Sequence, residues 1–368
     1  MISSKFDITI DARMINHSGI GTYIKNMIPN LVDYYNLALL GNENILKSFS
    51  WSNQVKIFKA DYPIYSISEQ INLPKQIPES RIFLSPHYNI PLLNIPADKR
   101  VVIIHDVNHL VGINKISILK KFYAKYMINT AVKKSDKVLT DSLFSKNEII
   151  KNVNVGDKKI KVLYCGINSI DLNDQPSPAY TDAVIVKYNL PKKYFLYVGS
   201  SKPHKNLISA LQAFNIFVKE HPEFKLVVLG IKKDGYITNI AFDNLKEGVI
   251  VPGYIPDDEL PAIYSQAFGM IFPSLYEGFG LPPLEAMSYG CPVIASNASS
   301  IPEVCGDAAL YFNPLDINGI IEAMKKIIED KTIVSQLKEN GYENLKRFSW
   351  KIFSQNLKHE FDELLVSR

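Results

Sequence analysis

The chain has 368 residues, with 41 Lys and Arg against 37 Asp and Glu, a formal net charge of +4 and a hydrophobic fraction of 46%. That length predicts two domains, and the ordinary composition excludes a disordered or fibrous chain. So mild a positive charge, with no concentrated Lys/Arg stripe, argues against a nucleic-acid partner.

Short apolar runs alternate with longer helical patterns from the start of the chain. Strands are expected at residues 8–10, 37–40, 55–58, 81–84, 101–104, 137–139 and 160–163, and helices at 23–33, 116–135 and 146–153. Buried, non-alternating strands separated by helices predict a parallel sheet covered on both faces. Residues 168–180, NSIDLNDQPSPAY, read as a polar linker. The pattern then restarts, with strands at 195–198, 225–229, 248–251, 270–272, 293–295 and 309–311. Helices are expected at 207–219, 258–267 and 283–289, with helical segments to the end. The fold class expected is α/β, with two Rossmann-like doubly wound domains. The first covers 1–172 plus a returning C-terminal helix at 352–368, and the second covers 180–351. Ligands of such sheets lie beyond the carboxyl ends of the strands, so two facing domains predict a central cleft.

The motifs fall at those strand ends. Residues 11–26, DARMINHSGIGTYIKN, place Gly19 and Gly21 at the start of a helix. A dinucleotide fingerprint needs a third Gly or Ala where this chain has Ile24, so an NAD-dependent oxidoreductase is a weak alternative. Ser85, Pro86, His87 and Tyr88 follow the next strand as candidate acceptor-side residues. In VVIIHDVNHL, residues 101–110, His105 and Asp106 end a buried strand, and Asp106 is expected to orient the loop. Thr140, Asp141 and Ser142 form a further strand-to-helix segment, where Ser145 is a candidate N-cap.

In the second half, YVGSSKPHKNL (197–207) runs a strand into Gly199, Ser200 and Ser201 before a helix. The loop amides with Lys202 and Lys205 can neutralise a diphosphate without metal. Asp257, Asp258 and Glu259 invite a metal reading, but their place before a helix predicts capping instead. The strongest signal is FPSLYEGFGLPPLEAMSYGCPVIAS (272–296). Gly278, Phe279 and Gly280 follow Glu277, and the two glycines allow close backbone approach. Pro282 and Pro283 suit a first helical turn and Gly290 its end. Loop amides from Gly278 to Leu281 and the helix N-terminus form an anion site, with Glu285 in the first turn. Two carboxylates beside an anion make sense as acceptors from hydroxyls. Glu277 would hold a transferred sugar and Glu285 a ribose diol, either side of a diphosphate.

This motif resembles glycosyltransferase family 4 of the GT-B fold, through Glu277-x7-Glu285, GFG and PVIAS. The following SIPEV (300–304) and GDAALYFNP (306–314) resemble its mannosyltransferase-like branch. The resemblance covers the second domain almost fully and the first at shorter islands. It implies a retaining, metal-independent hexosyltransferase with no cofactor, using a nucleotide-sugar donor, GDP-mannose by those two segments. The implied acceptor is a saccharide or lipid-linked saccharide in surface polysaccharide synthesis. Glu277, His105 and Lys205 are the implied catalytic residues: Lys205 on the diphosphate, and His105 near the anomeric carbon without acting as nucleophile. Gly253 and Tyr254 would pack on the base, and Gly19, Gly21, His87, His105 and Ser142 would lie on the acceptor side. Many members carry Arg directly after the glycine, where this chain has Ser200, leaving Lys202 to supply the first charge. That departure keeps open a non-catalytic nucleotide-sugar-binding protein.

Cys165, Cys291 and Cys305 form no CxxC pair, which argues against disulfides and zinc and for a reducing compartment. Asp7 and Asp11 interrupt any signal-peptide core, and no apolar run approaches a membrane span. A cytoplasmic protein is expected, with any membrane contact peripheral at the inner face. Lys120-Lys121, Lys133-Lys134 and Lys158-Lys159-Lys161 are either solvated helix ends or a basic face meeting phosphate on an acceptor or a membrane.

Overall fold

A computed structural model describes residues 5–17, 19–111, 117–153, 155–167, 175–231 and 248–366. The chain divides into two compact units: residues up to Gly166 with Trp350 onward form one, and Ile167–Ser349 the other.

In the first unit, seven parallel strands form one sheet. They are β1 (Phe6–Asp11), β2 (Leu37–Gly41), β3 (Lys56–Lys59), β4 (Ser80–Ser85), β5 (Ala97–Ile103), β6 (Lys137–Thr140) and β7 (Ile160–Val162), ordered β3-β2-β1-β4-β5-β6-β7. The direction of strand addition reverses between β1 and β4, so the loops after those strands open a crevice at the carboxyl edge. The connecting helices are α1 (Ile20–Met27), α2 (Glu43–Lys47), α3 (Ile67–Gln76), α4 (Asn108–Val111), α5 (Ile118–Lys134) and α6 (Leu143–Val153).

Each expected strand is present within a few residues, because a buried run flanked by turn residues is a local signal. The helix expected at 23–33 is shorter. Pro29 supplies no amide to an α ladder, and the chain tightens into a 3₁₀ turn at Ile28–Asn30. α3 was not legible, since Pro74 sits inside it and its apolar positions are sparse.

The second unit has six parallel strands: β8 (Tyr194–Val198), β9 (Lys225–Leu229), β10 (Val249–Ile250), β11 (Gly269–Phe272), β12 (Val293–Ser296) and β13 (Ala309–Phe312), ordered β10-β9-β8-β11-β12-β13. Its helices are α7 (Pro178–Lys187), α8 (Leu207–Glu220), α9 (Leu260–Gln266), α10 (Leu281–Ser288), α11 (Ile301–Cys305), α12 (Ile317–Glu329) and α13 (Lys331–Leu345). The reversal lies between β8 and β11. Phe195, Phe214, Phe217 and Phe224 are buried together between β8 and α8. The linker expected at 168–180 needs correction at its end. Ser177 caps α7 by accepting the Tyr180 amide, and Pro178 opens the helix; residues 168–174 and Ile116 lie outside the described residues.

The last helix, α14 (Trp350–Val366), packs back onto the first unit as expected. It buries Trp350, Phe353, Leu357 and Phe361, a spacing that keeps one face inward. Its polar ties include Tyr35 Oη to Asp362 at 2.8 Å and Arg81 to the Leu365 carbonyl at 2.6 Å. No described helix is long and apolar enough to cross a membrane.

Candidate functional site

The densest arrangement lies at the carboxyl edge of the second unit, where the loops after β8 and β11 flank the reversal. Lys205 Nζ donates to both oxygens of Glu277, at 2.7 and 2.9 Å. The ammonium also sits 5.8 Å from the centre of the Phe272 ring. The two side chains are 21% and 10% exposed, so the pair is largely shielded yet reachable by a ligand.

Backbone bracing holds this pair. Asn206, in the left-handed region at φ 53°, donates from Nδ2 to the Pro273 carbonyl at 3.0 Å and the Pro314 carbonyl at 2.8 Å. One amide thus ties together the loops after β8, β11 and β13. The Leu275 amide donates to the His204 carbonyl at 2.7 Å. The Glu277 amide donates to Ser299 Oγ at 3.0 Å, and Ser300 Oγ donates to the carbonyls of Glu277 and Phe279. Gly280 has φ 100°, a conformation open to glycine at little cost. A Cβ on Gly199 would lie 3.0 Å from the Tyr197 hydroxyl, which donates to the Ser200 carbonyl at 3.1 Å.

Two expectations about this loop are corrected. α10 begins at Leu281, so Glu285 is its fifth residue, one turn in rather than in the first turn. Tyr264 Oη donates to Glu285 Oε2 at 3.0 Å; burial, partly opposed by that bond, raises the carboxyl above its ordinary pKa. The helix N-terminus is also a poorer anion site than the glycine loop suggested. Pro282 and Pro283 have no N–H, leaving Leu281 and Leu284 as the only donors among the first four positions. An anion placed there would have to draw more of its charge compensation from lysine. Lys202 is exposed, and Ser200 and Ser201 complete that loop. Gly253 has φ 98° and precedes Tyr254, which is 85% exposed after β10.

The capping expected of Asp257, Asp258 and Glu259 is not what is found. Glu259 precedes α9 without a side-chain capping bond and pairs instead with Lys187 at 2.6 Å and with Tyr188. Among the described residues, no three His, Cys, Asp or Glu side chains group to hold a metal ion.

The first unit gathers its own cluster at the carboxyl edge of its sheet. His105 Nδ1 lies 2.6 Å from Asp141 Oδ2 and Nε2 lies 3.0 Å from the Pro86 carbonyl. Two acceptors at two ring nitrogens favour the doubly protonated ring. Burial alone would lower its pKa, but the Asp141 carboxylate outweighs burial and the value is raised. Neither nitrogen is left over for a nucleophile's role. Tyr23 packs edge-on against His105, at 5.1 Å, and against Trp350 and Phe353 of α14.

We expect Asp141→Asn to lower the His105 pKa below that of an exposed histidine, read from its imidazole NMR shifts against pH. An unchanged titration would refute the pairing. A raised pKa contributes stability fully present below about pH 6.5 and lost as pH rises through the folded value.

Ser142 rather than Ser145 caps α6, accepting the Ser145 amide at 3.0 Å, and it is fully buried. Ser145 Oγ instead donates to the His105 carbonyl at 3.0 Å. Asp106 orients its loop by accepting the Asn108 amide at 2.8 Å. Gly19 takes φ 75°, and a Cβ on Gly21 would lie 2.3 Å from the Ile15 carbonyl oxygen, so local packing already demands both glycines. His87 is buried, accepts the Asn89 amide at Nδ1 and has Nε2 3.4 Å from Asp11.

A network the motifs did not reveal surrounds His87. Arg13 binds Asp11 through two bonds, at 2.8 and 2.6 Å, and reaches Glu69 at 2.7 Å. Glu69 also accepts from Asn89 at 2.7 Å, and Asn89 accepts from Tyr123 at 2.8 Å. Only the DAR triplet hinted at it.

Residues 182–344 match the family described as Glycosyl transferases group 1. Over 235 residues the chain is 35% identical to O-antigen chain mannosyltransferase B from Escherichia coli, an overlap of 62% of this chain and 61% of that protein. The chain thus spans about three fifths of the length of that relative. It is 28% identical over 282 residues to O-antigen chain mannosyltransferase RfbU from Salmonella typhimurium, covering 76% and 73% of the two chains. Among solved structures, sucrose-phosphate synthase from Thermosynechococcus elongatus superposes with a TM-score of 0.80 at 17% identity, over 98% of this chain and 100% of that one. HepE from Anabaena, solved with UDP and glucose, superposes at 0.77 with 15% identity, over 97% and 100%. These likenesses, with two parallel doubly wound sheets, establish the GT-B fold. The matched segment contains the whole Lys205–Glu277 arrangement, so it is through the second unit that the chain resembles the glycosyl transferases group 1 family.

Proposed function

We propose that the protein is a retaining, metal-independent mannosyltransferase that moves mannose from GDP-mannose onto a saccharide or lipid-linked saccharide during surface polysaccharide synthesis. It works in the cytoplasm, with peripheral contact at the inner face of the membrane. The observation that carries the reading is the shielded Lys205–Glu277 pair at the strand-order reversal of the second unit. The O-antigen mannosyltransferases among its relatives support the sugar.

In this reading the diphosphate takes Lys205 from Glu277. Lys202 and the Leu281 amide add positive potential, Glu277 turns to the sugar hydroxyls, and Glu285 accepts from the ribose. Tyr254 offers an exposed face to the base. As the bond from the anomeric carbon to the diphosphate breaks, charge grows on the leaving oxygen, and fixed cations lower that barrier. The acceptor hydroxyl bonds the anomeric carbon on the face the diphosphate left, and its proton passes to the departing diphosphate oxygen. His105, braced between Asp141 and the Pro86 carbonyl, positions the carboxyl edge of the first unit.

A thermal-shift panel of nucleoside diphosphates and sugar nucleotides tests the donor. GDP and GDP-mannose are expected to raise the melting temperature most, since ligand at a hundred times its Kd stabilises by about 2.7 kcal/mol. A larger rise with UDP or ADP would overturn the choice of base, and no rise with any of them would overturn the site. Radiolabelled mannose transfer separates an enzyme from a binding protein; binding without turnover would favour the second reading, which the Ser200 substitution encourages.

A further inference from the structure

We propose that the first two turns of α5 dock on the surface of an anionic lipid bilayer. The proposal extends the function above, because a lipid-linked acceptor would be met at such a surface, but its observations and its test are independent of donor chemistry.

α5 is apolar on two faces. Ala124, Met127, Ile128, Ala131 and Val132 are buried against the core of the first unit. Ile118, Leu119, Phe122 and Tyr126 are 74%, 81%, 68% and 60% exposed. At 3.6 residues per turn these four lie on one stripe, with Lys121 and Lys125 along its border and Lys120 on the first turn. A surface helix needs one apolar face to meet its core, and the second leaves a contiguous apolar stripe in water.

Among the described residues, most lysines of the other clusters, Lys133 and Lys158 excepted, are engaged. Lys137 pairs with Glu360 and Glu363, Lys146 with Asp157, Lys151 with Glu148, and Lys161 with Glu360. Lys134 donates to the Leu92 carbonyl and Lys159 to the Lys133 carbonyl. Lys120, Lys121 and Lys125 are exposed, and no carboxylate pairs with them among the described residues. Unpaired ammonium groups around exposed Leu, Ile, Phe and Tyr fit an interface whose headgroups are negative and whose interior is apolar.

The stripe also has a useful place. α5 returns from β5 to β6, so its first turns stand at the carboxyl edge that carries His105. Tyr123, in the second turn, donates to Asn89 at 2.8 Å and packs near Tyr65, itself half exposed. Docking there would bring the first unit's carboxyl edge to the lipid surface.

Co-sedimentation of the full chain tests this. Vesicles of phosphatidylcholine mixed with phosphatidylglycerol should pellet the protein at low salt, and vesicles of phosphatidylcholine alone should not. Leu119→Ser/Phe122→Ser should weaken binding by roughly tenfold or more, and Lys121→Ala/Lys125→Ala by roughly twentyfold. All four residues are exposed, and unchanged melting with an unchanged nucleotide-induced shift would show both variants folded. Failure of the wild type to pellet, or equal pelleting of the variants, overturns the proposal while leaving the donor site untouched. If light scattering shows a dimer that Leu119→Ser/Phe122→Ser dissolves, and vesicles capture nothing, the stripe is a self-association face and the lipid reading falls.

Discussion

Lys205→Ala is expected to lower kcat for sugar transfer by about 10²–10³-fold, the usual loss when one preorganised group facing transition-state charge is removed. The structure makes this the steepest single effect. Lys205 is the shielded cation in the loop after β8, and the prolines at the start of α10 have already removed two amides that could share its work. Lys202 cannot stand in fully, because it is exposed and its charge is screened by water.

Glu277→Ala should fall in the same range for a different reason: it removes the proposed acceptor for sugar hydroxyls and the group that pairs with the lysine. Lys205→Arg should recover part of the lost rate, because the charge returns with altered geometry. Saturating-donor kinetics with radiolabelled mannose reads all three. A folded Lys205→Ala variant turning over at near the parent rate would dismiss the proposed leaving-group stabilisation.

Arg13→Met is expected to destabilise the first unit by about 3–5 kcal/mol, the cost of stranding buried carboxylates. Arg13, Asp11 and Glu69 have side-chain exposures of 3%, 0% and 1%. Burial would by itself raise the Asp11 carboxyl, but Arg13 outweighs it and holds the group far below the usual carboxylate range. A depressed carboxyl contributes stability above its unfolded pKa of about 3.9 and loses it as the pH falls through the folded value. With Arg13 gone, burial is opposed only by His87, 3.4 Å away, and Asp11 should titrate higher than in the parent. Lowering the pH would then relieve the variant while weakening the parent, so the difference between them should shrink toward pH 4. Both tryptophans, Trp51 and Trp350, belong to the first unit, so urea unfolding followed by intrinsic fluorescence reports on it directly. A loss below about 1 kcal/mol near neutral pH would mean that the network is not a stabilising element.

The amino-acid sequence alone determined the two parallel sheets, the order of strands and helices along the chain, and the loops that hold Glu277 and Lys205. Each is a local pattern of an apolar run, a glycine or proline, and a helix start, and such patterns do not depend on what packs beside them. Only the tertiary structure decided the partners. Glu69 stands 56 residues from Arg13, Asp141 lies 36 from His105, and Lys205 lies 72 from Glu277. The bracing of the Glu277 loop by Ser299 and Ser300, the shift of the α6 cap from Ser145 to Ser142, and the second apolar face of α5 belong with them. Periodicity says that a side chain is buried or exposed on its own element. Which distant charge or hydroxyl meets it is set by how the strands align and the loops close at the sheet edge, and nothing in a local window encodes that.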